Sequence, residues 1–115
     1  MIEDHIPNLE NIAEFLELEG FSIITACNGI DGLQMALDQR PDLIISDIKL
    51  PGYDGFTILK HIRCNALTIN TPFIFYSAKS ERKEIEYGFF SGANDYLVKP
   101  CELNRLLSSI HVLLK

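Results

Sequence analysis

Hydrophobic and polar residues follow two different periods along this chain of 115 residues. In residues 8–19, apolar side chains recur every three or four positions and glutamates occupy the remaining face, which predicts an amphipathic helix. In residues 43–46, the run LIIS is apolar on both sides, which is typical of a strand buried in a parallel sheet. The two patterns predict helices over residues 8–19, 31–39, 54–64, 81–91 and 102–114, and strands over residues 21–26, 43–46, 73–77 and 95–98.

Strands and helices therefore alternate from one end of the chain to the other. This order predicts an α/β fold with a parallel sheet and right-handed crossovers, in one domain over residues 1–115. The clearest helical pattern is that of residues 102–114, where leucines and Ile110 form one stripe that we expect to pack in the core.

Composition excludes several classes of protein. With 47% hydrophobic and 23% charged residues, the chain is typical of a globular domain. No apolar stretch approaches the ~20 residues of a membrane span, and no signal peptide opens the chain, so we expect a cytoplasmic protein without membrane contact. The three cysteines lack metal-ligand spacing and are expected to be reduced thiols.

The net charge of −6 is unevenly placed. Residues 1–39 contain no Lys or Arg, and their eight acidic residues are Glu3, Asp4, Glu10, Glu14, Glu17, Glu19, Asp31 and Asp38. Such a surface repels phosphate backbones, so direct binding of nucleic acid is not expected. A cluster of acids is equally suited to collecting a cation.

Polar side chains follow the predicted strands at the end where such sheets bind ligands. Glu3 and Asp4 lie near the start, Asp47 follows the strand 43–46, and Ser77 and Lys99 follow the next two strands. Repulsion among three carboxylates favours protonation or a bound cation, and oxygen ligands suit Mg²⁺. A hydroxyl and an amine are suited to holding an anion. The set indicates phosphoryl transfer to an aspartate.

Each residue also has a purely structural interpretation. Asp47 as a helix cap is disfavoured, because a Pro-containing loop rather than a helix follows it. Glu3 and Asp4 could be a solvated charge pair, Ser77 a turn residue and Lys99 a surface lysine. Their occurrence together at the strand ends favours the functional interpretation.

Four segments carry a family resemblance: IEDH (2–5), PDLIISDIKLPGYDG (41–55), FIFYSAKS (73–80) and GANDYLVKP (92–100). In this order and spacing, the whole chain resembles the receiver domain of response regulators in two-component signalling, the chemotaxis regulators among them. The resemblance implies a flavodoxin-like, doubly wound sheet of five parallel strands in the order 2-1-3-4-5, with five helices.

The resemblance also implies a phosphoacceptor site with a metal ion. Asp47 matches the aspartate that accepts the phosphoryl group. Asp4 matches the acid that binds Mg²⁺ (or Mn²⁺) directly, and Glu3 matches the acid that acts through water. The main-chain carbonyl of Lys49 matches the remaining protein ligand of the metal.

Further positions match residues that hold the phosphoryl group or respond to it. Ser77 matches the hydroxyl residue that bonds the phosphoryl group, and Lys99 the lysine that pairs with it, with a cis bond between Lys99 and Pro100. Tyr96 matches the aromatic switch, although packing alone would also explain it. Lys49 and Lys79 occupy positions that tune phosphoryl lifetime and predict slow dephosphorylation.

The function implied is that of a signalling domain that assists its own phosphorylation and dephosphorylation rather than that of an enzyme. The expected donor is a sensor histidine kinase or a histidine phosphotransfer protein. The expected readout surface is the fourth helix, last strand and last helix, which would control an output domain or downstream protein and could form a homodimer. Two alternatives are a pseudo-receiver, which would bind proteins without phosphorylation, and a flavin-binding flavodoxin-like protein, for which EDHIPN offers no phosphate-binding loop.

The resemblance is incomplete at the start of the chain. Only Met1 and Ile2 precede the acidic pair, so we expect a truncated first strand. We also expect no output domain within these residues, because the sequence ends with its last predicted helix.

Overall fold

The computed structural model describes residues 1–115 and contains five helices around a parallel sheet. The helices are α1 (Ile6–Leu18), α2 (Gly29–Gln39), α3 (Gly55–Arg63), α4 (Arg82–Phe90) and α5 (Leu103–Leu113), and the strands are β1 (Ile44–Ser46), β2 (Phe73–Ser77) and β3 (Asp95–Val98). All five predicted helices are present, and their ends lie within two residues of the predicted ends. None of them combines the length and the apolar character that crossing a membrane requires.

The sheet has the predicted lateral order. Strands β1, β2 and β3 pair in parallel, side by side. Beyond β1, Ile2 forms one parallel bridge to Ser46 and another to Ala26. The segments therefore lie in the order Ala26, Ile2, β1, β2, β3, which corresponds to 2-1-3-4-5.

The predicted strand over residues 21–26 is wrong in extent, because Ala26 alone forms a β-bridge, although the Ile24 carbonyl also accepts from the Met1 amino group at 2.7 Å. Its neighbour consists of residues 1–3: the Ala26 N–H donates to the Met1 carbonyl at 3.0 Å, and the Glu3 N–H donates to the Ala26 carbonyl at 3.0 Å. A ladder needs several such pairs in succession, and so short a neighbour supplies a single bridge. The apolar, β-branched pattern of these residues therefore predicts their extended course but not their pairing.

The sheet is covered by helices on both faces, as a near-continuous apolar strand requires. On one face, Ile44, Phe73 and Phe75 pack with residues of α2 and α3. On the other face, alternate strand residues pack with α1 and α5; this layer consists of Ile12, Leu16, Ile45, Ile74, Tyr76, Leu97, Leu106 and Ile110. The stripe predicted on α5 thus reaches the core at its centre, whereas Leu114 at its end is exposed.

Arg63, the last residue of α3, binds the segments at the amino-terminal ends of β2 and β3. Its guanidinium donates to the Gly92 carbonyl at 2.9 and 3.0 Å, to the Thr71 carbonyl at 2.7 Å and to Asn94 Oδ1 at 3.0 Å. The same Asn94 oxygen accepts from the Phe73 N–H at 2.9 Å. One side chain therefore joins α3 to the segments that lead into β2 and β3.

We expect Arg63→Ala to lower the free energy of unfolding by about 2–3 kcal/mol, because several acceptors lose a charged donor at once. Arg63→Lys should lose most of the same stability, since a lysine lacks the planar fork. Urea unfolding measures both. The matched control is Arg82→Ala, which removes only an exposed pair with Glu86 and should cost less than about 0.5 kcal/mol. Equal costs for the two alanine variants would contradict this role of Arg63.

Candidate functional site

The carboxyl ends of the strands place the predicted site residues along one edge of the sheet. Glu3 follows the bridged Ile2, Asp47 follows β1, Ser77 ends β2, and Lys99 follows β3. Asp4 lies beside Glu3 and is exposed. Because all these strands run in the same direction, their polar ends meet at the edge where open α/β sheets bind ligands.

Lys99 joins two of the acids directly. Its Nζ donates to Glu3 Oε1 and, at 2.9 Å, to Asp47 Oδ2. The three side chains are largely withdrawn from water, with exposed fractions of 1% for Glu3, 11% for Asp47 and 16% for Lys99. Desolvation opposes each of these charges, and the ammonium group between two carboxylates offsets that cost.

The environment shifts the pKa values of Glu3 and Lys99. Burial raises the pKa of Glu3, although hydrogen bonds from Lys99 and from the His5 N–H oppose the rise. Burial alone would lower the pKa of Lys99, but its hydrogen bonds to Glu3 and Asp47 outweigh burial and raise it. Lys99 therefore remains cationic at neutral pH and supplies a permanent positive charge beside Asp47.

Asp47 is held in place by its main chain as well as by Lys99. Its N–H donates to the Ile2 carbonyl at 3.0 Å, and its Oδ1 accepts from the Ile48 N–H at 2.6 Å. Gly55, the first residue of α3, lies so close that a Cβ there would overlap the Asp47 carbonyl oxygen. The strand end, the following loop and α3 thus fix the carboxylate, whose oxygens keep free lone pairs.

Three carboxylates converge closely enough to share one ion. Oxygen atoms of Glu3, Asp4 and Asp47 lie within 4.8 Å of one another. An all-oxygen, anionic donor set fits a hard divalent cation such as Mg²⁺. Glu3 is the buried member and Asp4 the exposed one, so the cluster opens to solvent on the side of Asp4. Lys49 is exposed on the adjoining loop, and its carbonyl as a ligand stays a prediction.

Ser77 and Tyr96 meet at the main chain of Lys79. Ser77 Oγ accepts from the Lys79 N–H at 3.2 Å, and the Tyr96 hydroxyl donates to the Lys79 carbonyl at 2.7 Å. Both side chains are buried, and burial raises the pKa of Tyr96. The Lys79 ammonium group pairs with Glu84 at 3.3 Å. The Lys99–Pro100 peptide bond is cis.

Some contacts of the site have no signal in the sequence. Main-chain donors from His5 and Ile48 hold Glu3 and Asp47, and any residue type supplies such a donor. Glu84 is one of several charged residues on α4, so its pairing with Lys79 is not distinguished by pattern. The exception is the glycine at position 55, because its lack of a side chain matches the close packing against the Asp47 carbonyl.

Comparisons with known proteins agree with this fold. The family model of the response regulator receiver domain matches residues 1–111. The chain is 39% identical over 115 residues to the transcriptional regulatory protein AfsQ1 of Streptomyces coelicolor, a match that covers 100% of this chain and 50% of AfsQ1. It is 31% identical over 114 residues to Protein PilH of Pseudomonas aeruginosa, covering 99% of this chain and 94% of PilH.

A similar solved structure is that of the chemotaxis response regulator CheY4 of Vibrio cholerae. Its TM-score with this chain is 0.91 at 28% sequence identity, and the match covers 98% of this chain and 94% of CheY4. The flavodoxin-like fold predicted from the sequence is thereby confirmed.

The fold and the family match define a receiver domain, the class of domain that takes part in two-component signalling. The chain belongs to the response regulator receiver domain family. It spans 48% of the DNA-binding dual master transcriptional regulator RpaA of Synechocystis sp., to which it is 34% identical over 116 residues. It also spans half of AfsQ1 and nearly all of PilH. Receiver domains generally bind Mg²⁺ through an acidic cluster, and histidine kinases and output domains are the partners that the family implies.

Proposed function

We propose that Asp47 accepts a phosphoryl group from the phosphohistidine of a sensor histidine kinase or a histidine phosphotransfer protein. The observation that supports this most strongly is the partly buried Asp47 carboxylate held at 2.9 Å from the fixed charge of Lys99. An Asp47 oxygen attacks phosphorus, the phosphorus–nitrogen bond breaks, and the product is an acyl phosphate on Asp47 with the donor's imidazole as leaving group.

The residues around Asp47 fit this step. Glu3, Asp4, Asp47 and the Lys49 carbonyl would hold Mg²⁺ or Mn²⁺, whose charge offsets that of the incoming phosphoryl group. Lys99 orients Asp47 before the reaction and pairs with the phosphoryl oxygens after it. Ser77 Oγ accepts a bond from the Lys79 N–H, and a hydroxyl that accepts one bond can still donate its own proton, here to a phosphoryl oxygen.

The proposed switch follows from the contacts of Ser77 and Tyr96. Movement of Ser77 toward the phosphoryl group pulls on the Lys79 main chain, to which the Tyr96 hydroxyl is also bonded. The altered surface would comprise α4, β3 and α5, and it would control an output domain, a downstream protein or a homodimer in the cytoplasm. The chain itself would bind no nucleic acid, because its acidic surface repels phosphates.

Acetyl phosphate, a small acyl phosphate donor, tests the proposal without the cognate kinase. In the presence of Mg²⁺, intact-protein mass spectrometry should show the gain of one phosphoryl group, and EDTA should prevent it. Incorporation at an equal rate with and without divalent cation would contradict the proposed site.

We expect slow dephosphorylation, with an acyl phosphate half-life of minutes or longer. Neither Lys49 nor Lys79 supplies an acid or an amide that would orient an attacking water. Lys49→Asn should shorten the half-life severalfold, whereas Lys60→Asn, on the exposed face of α3, should leave it unchanged. Loss of the mass increment over time measures both. A half-life of seconds in the unmodified chain would contradict the expectation.

A further inference from the structure

The outer edge of the sheet is open at residues 22–27. The Ile24 carbonyl points inward and accepts from the Met1 amino group, and the Ala26 N–H and carbonyl point inward and bond to Met1 and Glu3. Successive residues of an extended chain point their main-chain groups to opposite sides, so those of residues 23, 25 and 27 point outward. No hydrogen bond forms at these outward main-chain groups. A row of free donors and acceptors of this kind is a template for another strand.

This edge forms the floor of an open groove between α1 and α2, with a volume of about 680 Å³. Ile23 and Ala26 line it from the edge itself, and Met35 of α2 adds an apolar surface. The volume of the groove accommodates a short peptide segment, and apolar side chains of such a segment would have contacts on the side of α2.

The wall formed by α1 is acidic. Glu10, Glu14 and Glu17 all line the groove, and none of them takes part in an ion pair within the chain. Asp31 of α2 adds a fourth carboxylate. Because residues 1–39 contain no Lys or Arg, a second copy of this edge would bring like charges together. Charge complementarity thus favours a basic segment over a second copy.

We propose that the groove binds an extended, basic peptide segment of a partner protein, which adds as a strand to the edge at residues 23–27. Alternate side chains of an added strand point to opposite faces of the sheet, so basic residues on one face meet the α1 glutamates and apolar residues on the other meet Met35. The site is separate from Asp47 and does not depend on phosphorylation there.

A short peptide that alternates lysine with valine is the probe. Titration at low salt, followed by fluorescence anisotropy, should show saturable binding that weakens as salt is added. Amide hydrogen exchange in the bound protein should slow at Ile23, Thr25 and Cys27. The same peptide N-methylated at the amides that face the edge should not bind, whereas N-methylation of the outward amides should leave binding intact.

Two triple variants that change the net charge equally distinguish binding in the groove from attraction by net charge. The triple variant Glu10→Gln, Glu14→Gln, Glu17→Gln should weaken binding about tenfold, because it removes all three negative charges of the α1 wall at once. The control Glu81→Gln, Glu86→Gln, Glu102→Gln should change it less than about twofold.

Absence of binding would overturn the proposal. So would equal weakening by both triple variants, or insensitivity to N-methylation at the edge, since each indicates attraction by net charge alone. Slower exchange at Ile23, Thr25 and Cys27 that grows with protein concentration in the absence of peptide would assign the edge to a second copy instead.

Discussion

Asp47→Asn is expected to abolish phosphoryl incorporation from acetyl phosphate in the presence of Mg²⁺. The amide has nearly the same shape as the carboxylate and keeps an oxygen for the Ile48 N–H, but it lacks the anionic oxygen that attacks phosphorus. Lys99 retains Glu3 as its partner, so the fold should persist with an unfolding free energy within about 1 kcal/mol of the original. Intact mass and urea unfolding of the same sample measure the two quantities.

Asp42→Asn is the matched control for this experiment, because Asp42 is an exposed acid shortly before β1. It should be phosphorylated at the original rate. Stoichiometric labelling of the Asp47→Asn variant at another residue would remove Asp47 from the role of acceptor.

Lys99→Met should lower the free energy of unfolding by about 3 kcal/mol when EDTA is present. Glu3, with only 1% of its side chain exposed, would then lose its cationic partner, and Asp47 would lose one of its two donors. The exposed pair of Lys83 and Glu81 supplies the control: Lys83→Met should cost less than about 0.5 kcal/mol. Phosphoryl incorporation should also fall strongly in Lys99→Met, because the charge that orients Asp47 is gone.

The stability lost in Lys99→Met should depend on pH. Burial already raises the pKa of Glu3, and loss of Lys99 removes a contact that opposes this rise. A group whose pKa is higher in the folded than in the unfolded state contributes stability at low pH and loses it as pH rises. The difference in the free energy of unfolding between Lys99→Met and the original chain should therefore shrink as the pH falls from about 7 to about 5. A constant difference over this range would contradict the assignment to Glu3.

The meeting of the site residues at one edge of the sheet was predictable because it depends only on which segments form parallel strands, whereas the lateral order of the strands was implied by the family resemblance. The runs LIIS and FIFYS are apolar on both sides, and Asp47 and Ser77 stand at or just beyond their ends. In a parallel sheet that alone brings the two residues to one edge. The helices were predictable for the same reason, since each buries one periodic stripe.

Other features of the fold and the site depend on contacts between residues that are far apart in the sequence, and the pattern of the sequence does not show these contacts. The pairing of residues 21–26 is decided by the short neighbour at residues 1–3, so β propensity alone predicted too long a strand. The bonds of Arg63 reach Gly92 and Asn94, and nothing in its own helix distinguishes it from other basic residues. That Lys99 contacts Glu3 as well as Asp47 likewise follows only from the folded geometry.

Chemical identification of the phosphorylated residue decides whether Asp47 is the acceptor. After reaction with acetyl phosphate and Mg²⁺, borohydride reduces an acyl phosphate to the corresponding alcohol, which converts a phosphorylated aspartate into homoserine. Peptide sequencing by tandem mass spectrometry should then find homoserine at position 47 and aspartate at positions 4, 42 and 54. Homoserine at any of those other positions, with Asp47 unchanged, would exclude Asp47 as the acceptor.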